Sequence, residues 1–319
     1  MGYLPAWREA VDVSGGPRVL VTGGNGQLGR DLRDVLAGRV PAGGRAGAAR
    51  DCRADVLSTD VDTLDVSDRT AVGEVFEGFR PEVVLHAGAL TAVDACEADP
   101  DRAFGVNALG TRNVAEAAVR VGAHLIYVST DYVFDGKLSR PYVEWDRTDP
   151  QSVYGRSKLG GEVEALVLGG SSTTVVRTAW VSGAHGANMT KTVLRLATVG
   201  GGPLRFVDDQ VGTPTFTADL APVLVDLALD RCPGVFHVTN QGETTWFGFA
   251  RAVLDSAGLD ADRVEPITTD QLDPPRPAPR PANSRLDNAA LRLSGRAALP
   301  DWTDALDRLV GALEEPAVR

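Results

Sequence analysis

A phenol and an ammonium four residues apart, in Tyr154-Gly155-Arg156-Ser157-Lys158, are the groups in this chain best suited to move a proton. On a helix, positions i and i+4 share a face, so both side chains address one pocket. A phenol with an ordinary pKa of about 10 exchanges protons poorly near neutrality until a nearby cation favours its anion. Lysine supplies that point charge on a flexible stem, which also reaches ribose hydroxyls. By itself the spacing recurs by chance on surface helices. Further upstream, Ser129 and Thr130 end the apolar run of Tyr127 and Val128. Hydroxyls at the carboxyl end of a parallel strand sit where open α/β sheets bind ligands, although they also serve as turn formers and helix caps.

A third signal lies near the N-terminus, where Val19-Leu20-Val21-Thr22 runs into glycines at Gly23, Gly26 and Gly29, separated by Asn25, Gln27 and Leu28. Glycine permits a tight turn and lets backbone N–H groups approach a pyrophosphate held at the positive end of the following helix. The intervals differ from the G-x-G-x-x-G dinucleotide spacing. An acid after the second strand, Asp60, Asp62 or Asp65, would favour a free ribose 2′-hydroxyl, whereas Arg30, Arg45, Arg50 or Arg53 could meet a 2′-phosphate. Solvated surface charge is the competing role for all of them.

Apolar runs at 18–22, 56–61, 82–87, 123–129 and 173–178 alternate with helical patterns at 27–38, 68–79, 100–121 and 152–168, as parallel strands joined by crossover helices require. Pro100 suits a first helical turn. After 178 the alternation breaks down into strands at 204–207 and 234–238 and helices at 217–229, 245–257 and 304–313. Residues 41–54, rich in Gly, Ala and Arg, read as a surface insertion. The proline-rich stretch 274–281 cannot be helix interior or central strand, and its composition is equally that of a flexible linker or a rigid arm over a pocket.

The 319 residues carry 32 Lys+Arg against 43 Asp+Glu, a formal net charge of −11. That balance argues against nucleic acid and anionic membrane as partners. No stretch approaches the roughly 20 apolar residues of a membrane span, and Arg8, Glu9 and Asp12 interrupt the place of a signal peptide, so a cytoplasmic protein is expected. Cys52, Cys96 and Cys232 are too scattered for a disulfide framework and, with four isolated histidines, show no metal spacing. Only Lys137, Lys158 and Lys191 are lysines, so Lys158 stands out where arginine would have carried the charge.

Taken together, the glycine turn, the strand-end Ser129-Thr130 and the Tyr154/Lys158 pair resemble the extended short-chain dehydrogenase/reductases and, among them, the dTDP-4-dehydrorhamnose reductase family. The resemblance runs from Arg18 to about Leu309. It is carried also by His86-Ala87-Gly88-Ala89-Leu90-Thr91-Ala92-Val93-Asp94, the run from Ser129 to Gly136, Arg177-Thr178-Ala179-Trp180-Val181, Asp208-Asp209-Gln210-Val211-Gly212-Thr213-Pro214-Thr215, and Arg280-Pro281-Ala282-Asn283-Ser284. It implies a Rossmann-like, doubly wound parallel sheet with a smaller C-terminal α/β substrate-binding domain. An N-terminal extension (1–17) would precede an NAD(P)-binding domain (18–178, with 217–240 returning to it), and 179–216 with 241–319 would bind a sugar nucleotide.

The implied reaction is NADPH-dependent reduction, with NADH as the other option, of a dTDP-linked 4-keto-deoxysugar. Thr130, Tyr154 and Lys158 would be catalytic. Gly23, Asn25, Gly26, Gln27, Leu28, Gly29, Asp65, Val66, Ala87, Gly88, Ala89, Asn107 and Lys158 would hold the cofactor. Thr91, Val93, Tyr132, Trp180, Arg280 and Asn283 would face the sugar nucleotide. The chain departs from the family pattern at Gly88, Leu90 and Asn188-Met189, all bordering the pocket. A 4-ketoreductase for another dTDP-deoxysugar and a non-catalytic NADP-binding regulatory subunit therefore stay in view. Whether the chain forms a homodimer, or holds Mg2+ at a subunit contact, is left open.

Overall fold

The computed structural model describes residues 16–314 except 41, 44–48, 51 and 200. Strands β1 (Arg18–Thr22), β2 (Asp55–Thr59), β3 (Val83–His86), β4 (His124–Thr130), β5 (Thr173–Thr178) and β6 (Gly234–His237) form one parallel sheet in the order β2-β1-β3-β4-β5-β6. Near-continuous apolar strands such as β1 and β3 fit a sheet covered on both faces. Helices α1 (Gln27–Leu36), α2 (Arg69–Phe79), α3 (Thr111–Val121) and α4 (Val153–Gly169) supply the crossovers. One core joins Val19, Leu32, Val83 and Val176; the other joins Leu20, Phe76, Val114 and Tyr127. Each fully buried aliphatic side chain contributes roughly 1.5–3 kcal/mol of transfer free energy.

The order of strands reverses between β1 and β3, each leading to a different side of the sheet. Open α/β sheets bind ligands outside the carboxyl ends of strands at such a switch point. Here that point brings Gly23, after β1, against Gly88, after β3.

Chain beyond β5 forms a second body. Helices α5 (Met189–Val199), α7 (Trp246–Ser256) and α8 (Trp302–Glu314) share a core of Val193, Phe249, Leu254, Trp302 and Leu306. Helix α6 (Thr217–Leu229) instead returns to the sheet, burying Leu220, Leu224 and Val225 against the β1 side, and β6 follows it as the edge strand. Small pairings join the second body: 204–207 with 264–267 and 181–182 with 215–216, both parallel, and 211–212 between 244–245 and 283–284.

Several expectations shift. The helix expected over 100–121 is interrupted by a π-helical turn at Gly105–Gly110 between Pro100–Phe104 and α3. Such turns seat an extra residue and often mark functional sites. Helix α5 has no counterpart among the expected helices. Of the 41–54 insertion, 42–43 pair antiparallel with 49–50, while 41, 44–48 and 51 lie outside the described residues. Its end is not surface, because Cys52 and Ala54 are buried in the core beside Val35 and Leu36. The N-terminal extension lies outside the described residues up to position 15. Among the described residues no helix is long and apolar enough to cross a membrane.

Candidate active site

A cavity of about 920 Å³ runs from the glycine turn, past the ends of β3 and β4, to the second body. Its first end is mostly backbone. Gly23 has φ +70°, and a Cβ there would press on the Gly88 backbone at 2.7 Å. A Cβ on Gly29 would fall onto the Gly23 carbonyl, so both positions require glycine for a close approach. Gly26 caps α1 without any side-chain hydrogen bond, and no acid occupies the helix's first turn. Its N-terminal amides and positive dipole end thus face the cavity without a competing protein anion in that turn, which suits a pyrophosphate.

The other residues at this end are held by local bonds. The Asn25 N–H donates to Asp60 at 2.9 Å, and Asp65 accepts from the Ser67 N–H at 2.9 Å and hydroxyl at 2.7 Å. Those Ser67 bonds hold the Asp65 pKa below the ordinary carboxylate value. Arg102 and Ser67 line the same end. Beneath it, Thr22 meets His86 Nδ1 at 2.6 Å, and His86 Nε2 meets the Thr111 hydroxyl at 3.2 Å. Burial pushes the His86 pKa down to about 3, so the imidazole is neutral.

Midway, the hydroxyls and the phenol converge. Ser152 caps α4 by accepting from the Gly155 N–H at 3.1 Å, which starts the helix one residue before Tyr154. A Cβ on Gly155 would strike the Tyr132 carbonyl, so glycine lets this turn sit against the end of β4. Thr130 donates its hydroxyl to Asp131 at 2.8 Å. The Tyr154 ring packs edge-on to Tyr132 at 5.4 Å. Burial pushes the Tyr154 pKa upward, opposed in part by the Thr130 hydroxyl, and the phenol therefore holds its proton at neutrality. Asp131, also buried, is raised to about 6 by desolvation.

Lys158 is held from the strand side. Its Nζ donates to the Val128 carbonyl at 2.7 Å and lies 4.2 Å from the Tyr127 ring centroid. Burial lowers its pKa to about 7, with the Glu162 carboxylate pulling the other way. Glu162 itself accepts from Ser129 at 2.5 Å and from Arg177 at 2.9 and 2.7 Å, which ties β4, α4 and β5 together beneath the cavity.

The far end is lined by Thr91, Val93, Tyr132, Trp180 and Trp246. Three of the expected site residues do not line the cavity. Asn107, on the π-helical turn, donates to the Leu90 carbonyl and to Ser157 at 3.0 and 2.9 Å and accepts from the Leu90 N–H at 2.8 Å, so it braces the loop after β3. Arg280 donates to Asp94 at 2.5 and 2.8 Å, to the Ala278 carbonyl at 2.7 Å and to the cavity residue Tyr132, and Asp94 also accepts from the Ala278 N–H at 3.1 Å. The 274–281 stretch is therefore a largely exposed arm clipped at Ala278 and Arg280 to the segment after Thr91. Asn283 donates to the Leu138 and Arg140 carbonyls at 2.7 and 2.8 Å, fastening the 136–143 loop. All the other expected site residues line the cavity.

Sequence reasoning missed Trp246, Arg102 and Asp131 as cavity residues. Trp246 lies 66 positions beyond Trp180 with no motif around it; Asp131 sits directly after Thr130, within the Ser129–Gly136 run. The fold also gathers Asp31, Asp34 and His185 within 4.8 Å outside the cavity lining, a grouping no spacing announces.

The comparisons with known proteins agree on one family. The RmlD substrate binding domain family matches residues 17–315. The dTDP-4-dehydrorhamnose reductase of Mycobacterium tuberculosis is 41% identical over 92% of this chain and 93% of its own length. A spore coat polysaccharide biosynthesis protein of Bacillus subtilis, SpsK, is 37% identical over 87% of this chain and 92% of its own. Among solved structures, the Clostridium acetobutylicum dTDP-4-dehydrorhamnose reductase superposes with a TM-score of 0.85 at 38% identity, covering 93% of this chain and 100% of that one. The Bacillus anthracis enzyme, in complex with NADP, gives 0.84 at 34% identity, covering 93% and 99%. The chain belongs to the dTDP-4-dehydrorhamnose reductase family.

Proposed function

We propose that the chain is an oxidoreductase that reduces the C4 ketone of dTDP-4-dehydro-L-rhamnose to dTDP-L-rhamnose, with NADPH as reductant, in the cytoplasm. The observation that carries this reading is the single cavity joining the uncapped N-terminus of α1 to Thr130, Tyr154 and Lys158. When bound, the nicotinamide supplies a hydride to the carbonyl carbon, and the protein supplies orientation and electrostatics.

The α1 amides and the glycine turn hold the pyrophosphate, with Ala87, Gly88 and Ala89 alongside. Asp60, Asp65 and Val66 flank the adenosine. Arg102 and Ser67 suit a 2′-phosphate, whereas Asp60 suits a free 2′-hydroxyl, which leaves NADH usable. As negative charge grows on the substrate oxygen, Tyr154 donates its proton there, the task for which a phenol kept protonated by burial is fitted. General acid catalysis of this kind contributes typically 10²–10⁴-fold. Thr130 orients the Tyr154 hydroxyl. Lys158, anchored on the Val128 carbonyl, offers N–H donors to ribose hydroxyls. Residues 18–178 with 217–240 form the cofactor domain, and 179–216 with 241–319 the sugar-nucleotide domain. Intact proton-donating groups in one cavity favour a catalyst over a non-catalytic regulatory subunit.

The test is NADPH oxidation followed with dTDP-4-dehydro-L-rhamnose and with other dTDP-4-keto-deoxysugars. The reading predicts the highest kcat/KM for the rhamnose precursor. A higher value for another keto-sugar would move the assignment to that sugar.

A further inference from the structure

Trp180 is in a conformation that large side chains rarely adopt. It follows β5 and Ala179, and its φ is +48°. A left-handed backbone at a bulky residue persists only where the surroundings over-determine it, and such residues gather at functional sites. Three contacts do so here. The indole lies parallel to that of Trp246, with ring centroids 3.5 Å apart and an interplanar angle of 5°. Its carbonyl accepts from the Thr215 N–H at 3.3 Å. And Gly212 leaves room where any side chain would intrude, because a Cβ built there would fall within the Trp180 indole.

The Gly212 backbone does not itself demand glycine, since it is absent from the residues with positive φ. Space for the indole is the reason for glycine at this position. Trp246 in turn opens α7 behind its Thr245 cap and meets Phe249 edge-on at 5.9 Å, and Phe249 belongs to the core of the second body. The indole of Trp180 is thereby fixed to that core through a second ring, while both tryptophans line the cavity shared with Thr130 and Tyr154.

We infer that Gly212 and Trp246 are positioning residues that clamp the two faces of the Trp180 indole and so fix the edge that Trp180 presents to the deoxysugar ring. The inference rests on the reading above, in which the keto-sugar occupies this end of the cavity. A 6-deoxyhexose packs its methyl and ring atoms against such an edge by shape, and an indole fixed before binding loses no rotamer freedom when the sugar arrives.

The experiment is calorimetric binding of dTDP-L-rhamnose, of dTDP alone and of NADPH to the full chain and to Gly212→Ala, Trp246→Ala and Trp246→Phe. The same Gly212 and Trp246 changes are then repeated in a Trp180→Ala background. Gly212→Ala and Trp246→Ala are expected to weaken dTDP-L-rhamnose roughly tenfold while dTDP and NADPH bind as before, and Trp246→Phe to recover most of the loss. In the Trp180→Ala background neither change should cost more, because the indole they hold is gone. An unchanged affinity in Gly212→Ala, an equal loss for dTDP alone, or a cost that persists without Trp180 would overturn the inference. If the native chain neither binds dTDP-L-rhamnose nor reduces any dTDP-keto-sugar, the functional reading fails and the inference fails with it.

Discussion

The two ends of the one cavity are built in opposite ways. At the cofactor end, a contiguous turn of seven residues, Gly23–Gly29, offers backbone amides, and the requirement is the absence of Cβ atoms. At the sugar end, side chains from segments near 91, 132, 180 and 246 meet, braced by 94, 212 and 280. A polyanion common to many enzymes is met by a local backbone device; a particular sugar requires shape, which only distant segments can supply together. Tyr154 stands at the boundary, with its ring against Tyr132 and its hydroxyl beside Thr130.

The sharpest way to probe that boundary is Tyr154→Phe, which should lower kcat by about 10²–10⁴ while NADPH and dTDP affinities stay unchanged. Turnover within a few-fold of native would remove Tyr154 from the chemistry. Lys158→Met should likewise abolish turnover yet raise the melting temperature. Burial holds the Lys158 pKa to about 7, against about 10.4 for an unfolded lysine. The folded chain is thus penalised for the ammonium below pH 7, and the penalty fades as pH rises toward 10.4. A scan at pH 6 should show the gain and one at pH 10 little of it.

Breaking only the cofactor end should be the next largest effect. Gly29→Ala drives a Cβ onto the Gly23 carbonyl, and NADPH affinity should fall roughly tenfold to a hundredfold while dTDP binding is retained. Equal losses for both ligands would mean that the two ends are not separable. Acid affects the scaffold beneath both ends. Burial lowers His86 and His237 to about 3 and His124 to about 4, so unfolded histidines, titrating near 6.5, bind protons first. The stability these residues allow is complete above about pH 6.5 and lost as pH falls toward 4, by roughly 1.4 kcal/mol per unit for each. Urea midpoints at pH 7 and pH 5 measure it, and an unchanged midpoint would show these imidazoles to be solvated.

The smallest expected effect is at the arm. Asp94 is partly exposed, with 32% of its side chain accessible, so its pair with Arg280 is screened. Asp94→Ala should raise KM for the keto-sugar by about threefold, with NADPH untouched. A larger change in the NADPH constant would place the arm's influence at the wrong end.

Most of the sheet was legible, because a buried parallel strand shows as a short apolar run; 18–22 and 173–178 coincide with the observed strands to the residue. Helix α5 escaped although Gly183, Gly186 and Asn188 precede it, because its run is rich in β-branched residues (Thr190, Thr192, Val193, Thr198, Val199) that favour helix weakly. The cofactor end was legible for the same reason that it is local, since three glycines after a strand are contiguous. Asn107, Arg280 and Asn283 bond to neighbouring loops outside the cavity lining; the sequence marks a polar residue without saying which backbone or side-chain partner will claim it.

The sequence alone determined the parallel α/β order, the glycine turn and the pairing of Tyr154 with Lys158 on one helical face, because each depends on neighbours within a few turns of chain. It also showed that a chain of net charge −11 must bind anions through local amides rather than a general field. Tertiary structure alone decided that the proline-rich stretch is an arm clipped to Asp94, that Lys158 turns to the Val128 carbonyl, and that Trp246 and Gly212 fix Trp180. Those contacts join residues tens of positions apart, and no local propensity encodes which distant side chain will fill the last few ångströms.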